Sequence, residues 1–357
     1  MKRSMIILAL SLFFTGSTLL ADDGPFVRYP SLNSDGSMIA FSYQGDIWVM
    51  PTGGGDATRL TIHEAYDGWP RWSGDDSLIA FSSDRFGNYD VFVMPSGGGI
   101  PERLTFHSAS DYVWDFPSSE EVLFTTSRLW RQVERDREVH RVSPSGGTPV
   151  RILDALGKMP DTSPDGRFVA FTRGYGTPER EAYRGSGNMD VWLYDRETRS
   201  YSQLTSFDGN DMFPRWGGAR TIYFVSALSG RYNVHRMEID EGGNRVGDFQ
   251  QVTRFADGGV RYLSVSADGT TLALERETDI YTMKTDGGSP EKLAVTISSD
   301  YRFDPFEHKT FGEKLTEYAV SPDGKYTAVV VRGEVFVTQN DTKRDRAVKL
   351  TCLLNTT

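Results

Sequence analysis

Cysteine is almost missing from the 357-residue chain, where Cys352 stands alone. A single thiol excludes an intramolecular disulfide framework and any cysteine-cluster zinc or iron–sulfur centre. Basic residues are in deficit, 39 against 49 acidic ones for a formal net charge of −10. The chain therefore lacks the cationic footprint of a nucleic-acid binder. Histidine is scarce, five in all, and the familiar catalytic signatures are missing. Arg184-Gly185-Ser186-Gly187 lacks the first glycine of a nucleophile elbow. His63-Glu64 is not followed by the second histidine of a zinc-peptidase motif. The glycine runs are not followed by the Lys-Ser/Thr of a phosphate loop, and Asp84 to Asp90 has the wrong spacing for an EF-hand. No catalytic residue, metal or cofactor is expected. Long apolar runs are lacking too: Met5 to Phe14 is too short to span a bilayer. Lys2 and Arg3 before that run, and small or polar residues after it, make residues 1–21 read as a signal peptide. Cleavage after Ala21 or Ser17 would leave an exported protein, periplasmic or extracellular, with no membrane span.

Turns and strand formers are abundant. Glycine numbers 36, proline 16, and aromatics make up 12%. One pattern recurs six times, over Pro30 to Thr61, Pro70 to Thr105, Trp114 to Leu153, Pro160 to Thr205, Pro214 to Thr253 and Tyr262 to Ala294, in copies of 32 to 46 residues. The first two copies are the clearest and the other four weaker: a turn such as Ser34-Asp35-Gly36 runs into an apolar strand such as Ile39-Ala40-Phe41. A second strand follows behind an acidic residue, as in Asp46-Ile47-Trp48-Val49, and then Gly53-Gly54-Gly55 and Arg59-Leu60-Thr61 close the unit. Asp-Gly and glycine-rich turns reverse a strand sharply, and four short strands at a fixed period near 40 are the signature of a β-propeller. The expected fold is all-β: a six-bladed β-propeller over residues 26–294 with four-stranded blades.

The phase of the repeat bears on ring closure. The first and last copies are each contiguous, so no strand-exchange latch is expected. Blades 1 and 6 should meet through side chains alone, at the weakest interface of the ring. After Ala294 the next turn is 27 residues away, at Ser321. Residues 295–315 are expected to be a linker, and 316–357 the orphan first blade of an incomplete second propeller. A seventh blade of the same ring is the alternative.

Arg71 and Arg215, each in a Pro-Arg-Trp beside an innermost strand, are candidates to line the central channel. Stacking on the adjacent tryptophan or pairing with an acid is the competing reading. His63 and His107 are further channel candidates, although their shared repeat position argues for holding a loop. Asp67, Asp111 and Asp211 recur before the innermost strand, where turn and capping roles are expected. Insertions interrupt the repeat at residues 128–138 and 173–189. The second, with Tyr175, Tyr183 and Arg184, is expected to contact another domain or subunit.

These residues resemble something known. The signal peptide, the six blades, the Arg180-Glu181-Ala182-Tyr183-Arg184-Gly185-Ser186 insertion, and Thr316 to Gly324 together resemble the N-terminal part of tricorn-type serine proteases. The resemblance implies a propeller without catalytic residues, which guides or gates peptides for a serine-peptidase core lying further along such chains. Its implied partners are peptides or unfolded polypeptide, the protease domains, and further copies of the chain. The blades also resemble the propeller of TolB, which makes a periplasmic protein-binding scaffold the alternative.

Overall fold

The computed structural model of the chain describes residues 24–129, 136–298, 315–331, 334–340 and 348–349. It falls into two units, the first ending at Ser299. Blade 1 is a meander of β1 (Arg28–Leu32), β2 (Met38–Tyr43), β3 (Asp46–Pro51) and β4 (Gly55–Arg59). Five further four-stranded sheets follow. Their innermost strands are β5 (Asp67–Trp72), β9 (Tyr112–Ser118), β13 (Lys158–Thr162), β17 (Asp211–Trp216) and β21 (Val260–Val265). Each sheet packs on the next and the sixth packs on the first, so a ring of six blades closes.

The repeated motifs have physical tasks. In the opening turn, the Ser73 hydroxyl donates to Asp75 at 2.6 Å and accepts the Leu78 amide at 2.9 Å. Ser163 and Ser266 repeat the arrangement. Asp46 accepts from Arg59 at 2.5 Å, and the Ile47 amide donates to Thr61 Oγ1 at 2.9 Å. Asp90, Arg103 and Thr105 do the same in blade 2. The acid that opens the third strand thus clamps the short fourth strand, whose one or two ladder bonds would hold it poorly. Phe41, Phe81, Phe124, Phe171 and Phe224, one on the second strand of each of blades 1 to 5, are fully buried, each contributing about 1.5–3 kcal/mol.

The seam differs from the expectation. No strand is exchanged within a blade, and Val27, Leu32 and Ile39 pack on Ala273, Ile280 and Leu293 across the junction. Backbone joins them as well. A further strand, β25 (Val295–Ile297), pairs in parallel with β4 as a fifth strand of blade 1. The Gly55 amide donates to the Ala294 carbonyl at 3.0 Å, and the Asp268 amide to the Ser34 carbonyl at 2.9 Å. Gly54, at φ 90°, lets Ala294 approach: a Cβ there would lie 3.2 Å from the Ala294 carbonyl oxygen. The expected linker therefore begins with a strand, and the seam is a clasp as well as a packed face. A short fourth strand leaves a sheet edge unpaired, and the segment that follows blade 6 covers it.

The second unit contains a sheet of β26 (Leu315–Val320), β27 (Tyr326–Val331), β28 (Glu334–Gln339) and β29 (Val348–Lys349). Its Ser321-Pro322-Asp323-Gly324 turn repeats the blade turn, with Ser321 Oγ donating to Asp323 at 2.6 Å. Tyr318, Val320 and Tyr326 are exposed. The signal peptide and most of the 295–315 segment lie outside the described residues, as do residues 130–135 of the first insertion.

Thr296→Pro removes a donor from β25 and should unclasp the seam. Amide exchange in blades 1 and 6 should then quicken by about ten-fold, the loss of one or two backbone bonds, while blades 3 and 4 keep their protection. Hydrogen-exchange mass spectrometry reads this, and equal acceleration in all blades would contradict it.

Candidate functional site

The innermost strand of every blade is a sheet edge facing the channel, so part of its backbone lacks a ladder partner. One rung of the six blades carries polar side chains: Ser31, Arg71, Asp115, Asp161, Arg215 and Ser264, opposite Ala40, Ala80, Leu123, Ala170, Tyr223 and Ala273. Five of the six reach the inner strand of the next blade. Arg71 Nε donates to the Trp114 carbonyl at 2.6 Å, and Arg215 Nε to the Leu263 carbonyl at 3.1 Å. Asp115 accepts the Thr162 amide and Asp161 the Trp216 amide, both at 2.8 Å. Ser264 Oγ accepts the Leu32 amide at 3.0 Å. Between blades 1 and 2 the Trp72 indole donates to the Ser31 carbonyl at 3.0 Å. The result is a polar belt that satisfies the inner edges and ties neighbouring blades.

The belt holds two arginines and two aspartates. Arg215 also donates to Asp161 at 3.2 Å. Burial and the nearby Asp161 push the Asp115 carboxyl up to about 7. Burial raises the Asp161 carboxyl too, opposed by Arg215. On the turn side of the belt a cavity of about 140 Å³ is lined by these four side chains and the blade turns.

On the other side of the belt lies a larger, aromatic mouth of about 410 Å³, lined by Tyr29, Trp69, Tyr112, Trp114, Phe213 and Tyr262 among others. A bulge in the inner strands aims several of these inward. Tyr29, Trp69, Met159 and Phe213 have φ of 57°, 55°, 56° and 54°, a left-handed conformation costly for residues with a Cβ. A proline follows each, removing the right-handed helical alternative, and each sits where the ladder register shifts. Four strained residues from four blades converge on one cavity.

Between mouth and belt the channel is plugged. Trp114 of blade 3 and Tyr262 of blade 6 stack across the ring at 6.1 Å, with Phe213 at 5.1 Å from Tyr262. Arg71 donates to the Tyr262 hydroxyl at 2.9 Å, and Trp114 Nε1 to Thr125 Oγ1 at 2.9 Å. The hollow middle expected from the repeat is instead two chambers divided by side chains.

Arg71 and Arg215 do reach the channel, yet both are buried and engaged, so the competing reading of paired arginines also holds in part. His63 and His107 are not in the channel, which is a correction. Each accepts, through Nδ1, the amide two residues on, Ala65 at 3.0 Å and Ala109 at 2.9 Å, and so holds a loop. In the 173–189 insertion, Tyr183 accepts the Gly187 amide at 3.0 Å, and Arg184 lies over Phe207 at 4.7 Å and donates to the Ala227 carbonyl at 3.3 Å. Arg184 fastens the insertion to the propeller and Tyr183 braces it from within, while Tyr175 is exposed. Asn210 ties it down by accepting the Met189 amide at 3.1 Å and donating to the Arg180 carbonyl at 3.3 Å, and Pro178 and Glu179 reach the mouth. The four bulge positions were not anticipated, although their signal is in the sequence: Tyr29-Pro30, Trp69-Pro70, Met159-Pro160 and Phe213-Pro214 recur at one repeat position.

Two of the acids before the inner strands are ion-pair partners, not caps. Asp67 pairs with Arg85 at 2.7 Å, and Asp111 with Arg128. In blade 5 the arginine position is Leu228. Neither oxygen of Asp211 has a hydrogen-bond partner. Burial pushes its carboxyl up from 3.8 to about 7, eased only in part by the neighbouring Ser226 and Thr205 hydroxyls. Among the described residues, no group of three or more histidine, cysteine or acidic side chains is placed to hold a metal.

This ring of four-stranded blades with a belted, plugged channel defines an all-β propeller domain. Residues 25–289 match the family described as the tricorn protease N-terminal β-propeller domain, and the chain belongs to it. It is 24% identical over 318 residues to a tricorn protease homolog of Saccharolobus solfataricus, covering 87% of this chain and 28% of that one. It is 26% identical over 324 residues to tricorn protease homolog 1 of Streptomyces coelicolor, again covering 87% and 28%. The chain thus spans little more than a quarter of these relatives. The crystal structure of the tricorn protease superposes with a TM-score of 0.65 at 18% identity, over 91% of this chain and 31% of that one, a likeness of fold.

Two substitutions probe the buried charges. Arg215→Ala leaves Asp161 unpaired and should cost about 3–5 kcal/mol in urea unfolding, much of it regained in Arg215→Met with Asp161→Asn. Asp211→Asn should stabilise by about 1–3 kcal/mol above pH 7. Because the folded carboxyl holds its proton more tightly than the unfolded one, the parent loses stability as pH rises from about 4 to about 7. The two proteins should therefore melt together near pH 4 and apart at pH 8.

Proposed function

We propose that the chain is the non-catalytic propeller portion of an exported tricorn-like serine protease, and that it receives peptide segments at the aromatic mouth of its channel. One observation carries the reading: side chains from separate blades are held in strained conformations around a single cavity of ligand size. The family match supports the protease context. Lys2, Arg3 and the apolar run behind them support export. The plug makes the mouth a dead end, so the propeller gates peptides, and passage through the ring requires Trp114 and Tyr262 to part. Its partners in this reading are peptides, the protease domains and further copies of the chain.

A short peptide carrying a benzophenone side chain tests this. Photolysis with the chain should label residues around Trp69, Tyr112 and Phe213, and the unphotolysed peptide should remain uncut after long incubation. Labelling spread over the outer strands would overturn the mouth as the receiving site, and hydrolysis would overturn the non-catalytic assignment.

A further inference from the structure

The chain is acidic overall, with a formal net charge of −10, yet the mouth is not. Four cations, Arg28, Arg137, Lys158 and Arg261, line it against two acids, Glu179 and Glu275. Two of the cations are spent. Arg28 pairs with buried Glu275 at 2.8 Å, and Lys158 with Asp136 at 3.3 Å. The other two are not. Arg137 lies over the Tyr112 ring at 4.4 Å, Arg261 is exposed on β21, and neither guanidinium makes an ion-pair contact with a carboxylate among the described residues, Arg261 acting on Glu275 only through its field. They come from blades 3 and 6, on opposite sides of the ring, and bracket the floor made by Trp114, Phe213 and Tyr262. A guanidinium binds a carboxylate through two parallel hydrogen bonds, and the aromatic floor offers flat apolar contact within reach of them.

We infer that the mouth selects peptide segments in which acidic side chains neighbour aromatic or large aliphatic ones, through Arg137 and Arg261. The inference rests on the reading of the mouth as a peptide-receiving site. A basic segment would place its cations against these two arginines, and only Glu179 is left on the mouth to offset them.

The test is fluorescence anisotropy with two rhodamine-labelled peptides, amidated at the C terminus so that only side chains differ. One is Gly-Glu-Phe-Gly-Glu-Phe, the other its lysine counterpart. The acidic peptide should bind the full chain about ten-fold more tightly at low salt, with the gap narrowing at high salt. Arg137→Glu with Arg261→Glu should reverse the preference, and Trp69→Ala should weaken both peptides. Should the double variant melt early, Arg261→Glu alone, at an exposed position, should still narrow the gap about three-fold. Equal binding of the two peptides, weakened alike by Trp69→Ala, would overturn the charge selection and leave the receiving mouth standing. A preference for the lysine peptide would overturn the selection as well, and failure of both peptides to bind would overturn both readings.

Discussion

The belt of polar side chains around the channel is the interaction on which the rest of the ring depends. A propeller blade has an inner strand whose channel-facing backbone has no strand to pair with, and its buried amides and carbonyls cost free energy unless something else bonds them. Here the blade before supplies the partner, a carboxylate for an amide or a guanidinium for a carbonyl. This explains how two arginines and two aspartates come to lie in the middle of a buried ring. It also explains why they are mixed in sign: the sheet edge offers donors and acceptors in turn. The same bonds fasten each blade to its neighbour, so satisfying the edges and assembling the ring are one event.

Mouth and plug follow from what the belt holds still. With the inner strands fixed at one rung, the bulge two residues earlier can hold Tyr29, Trp69, Met159 and Phe213 in the left-handed region, because neighbouring blades prevent relaxation. The seam is held in the same spirit. Glu275, buried, accepts both Arg28 and the Tyr29 amide, so the ion pair that helps close the ring also sets one wall of the mouth. The insertion from blade 4 covers the rim, pinned by Asn210 and by Glu181, which pairs with Arg231 at 2.9 Å. Closure, site shape and rim are therefore coupled through a few side chains.

Much of this architecture could be read from the chain alone. The Ser-x-Asp-Gly turns, the Asp that opens four of the six third strands and the Arg-Leu-Thr endings act locally, within one blade, and their hydrogen bonds join residues close in sequence. That is why the six units and their boundaries were legible. The acids show the limit: Asp67, Asp111 and Asp211 look alike in sequence, and only the folded hairpins show that Arg85 and Arg128 serve two of them while the third is left without an ion-pair partner. The histidines point the same way, since a repeat position near the strand ends does not say which end of the sheet faces the channel.

By itself the sequence determined an all-β ring of six contiguous blades, because strand period, turn chemistry and the clamp on each fourth strand are short-range. Tertiary structure alone decided that the channel is plugged, that β25 clasps blade 1, and that Ser31, Arg71, Asp115, Asp161, Arg215 and Ser264 form one belt. Trp114 and Tyr262 are separated by half of the ring along the chain, and nothing local marks them as neighbours. Their contact exists because the ring closes, and closure depends on all six interfaces at once.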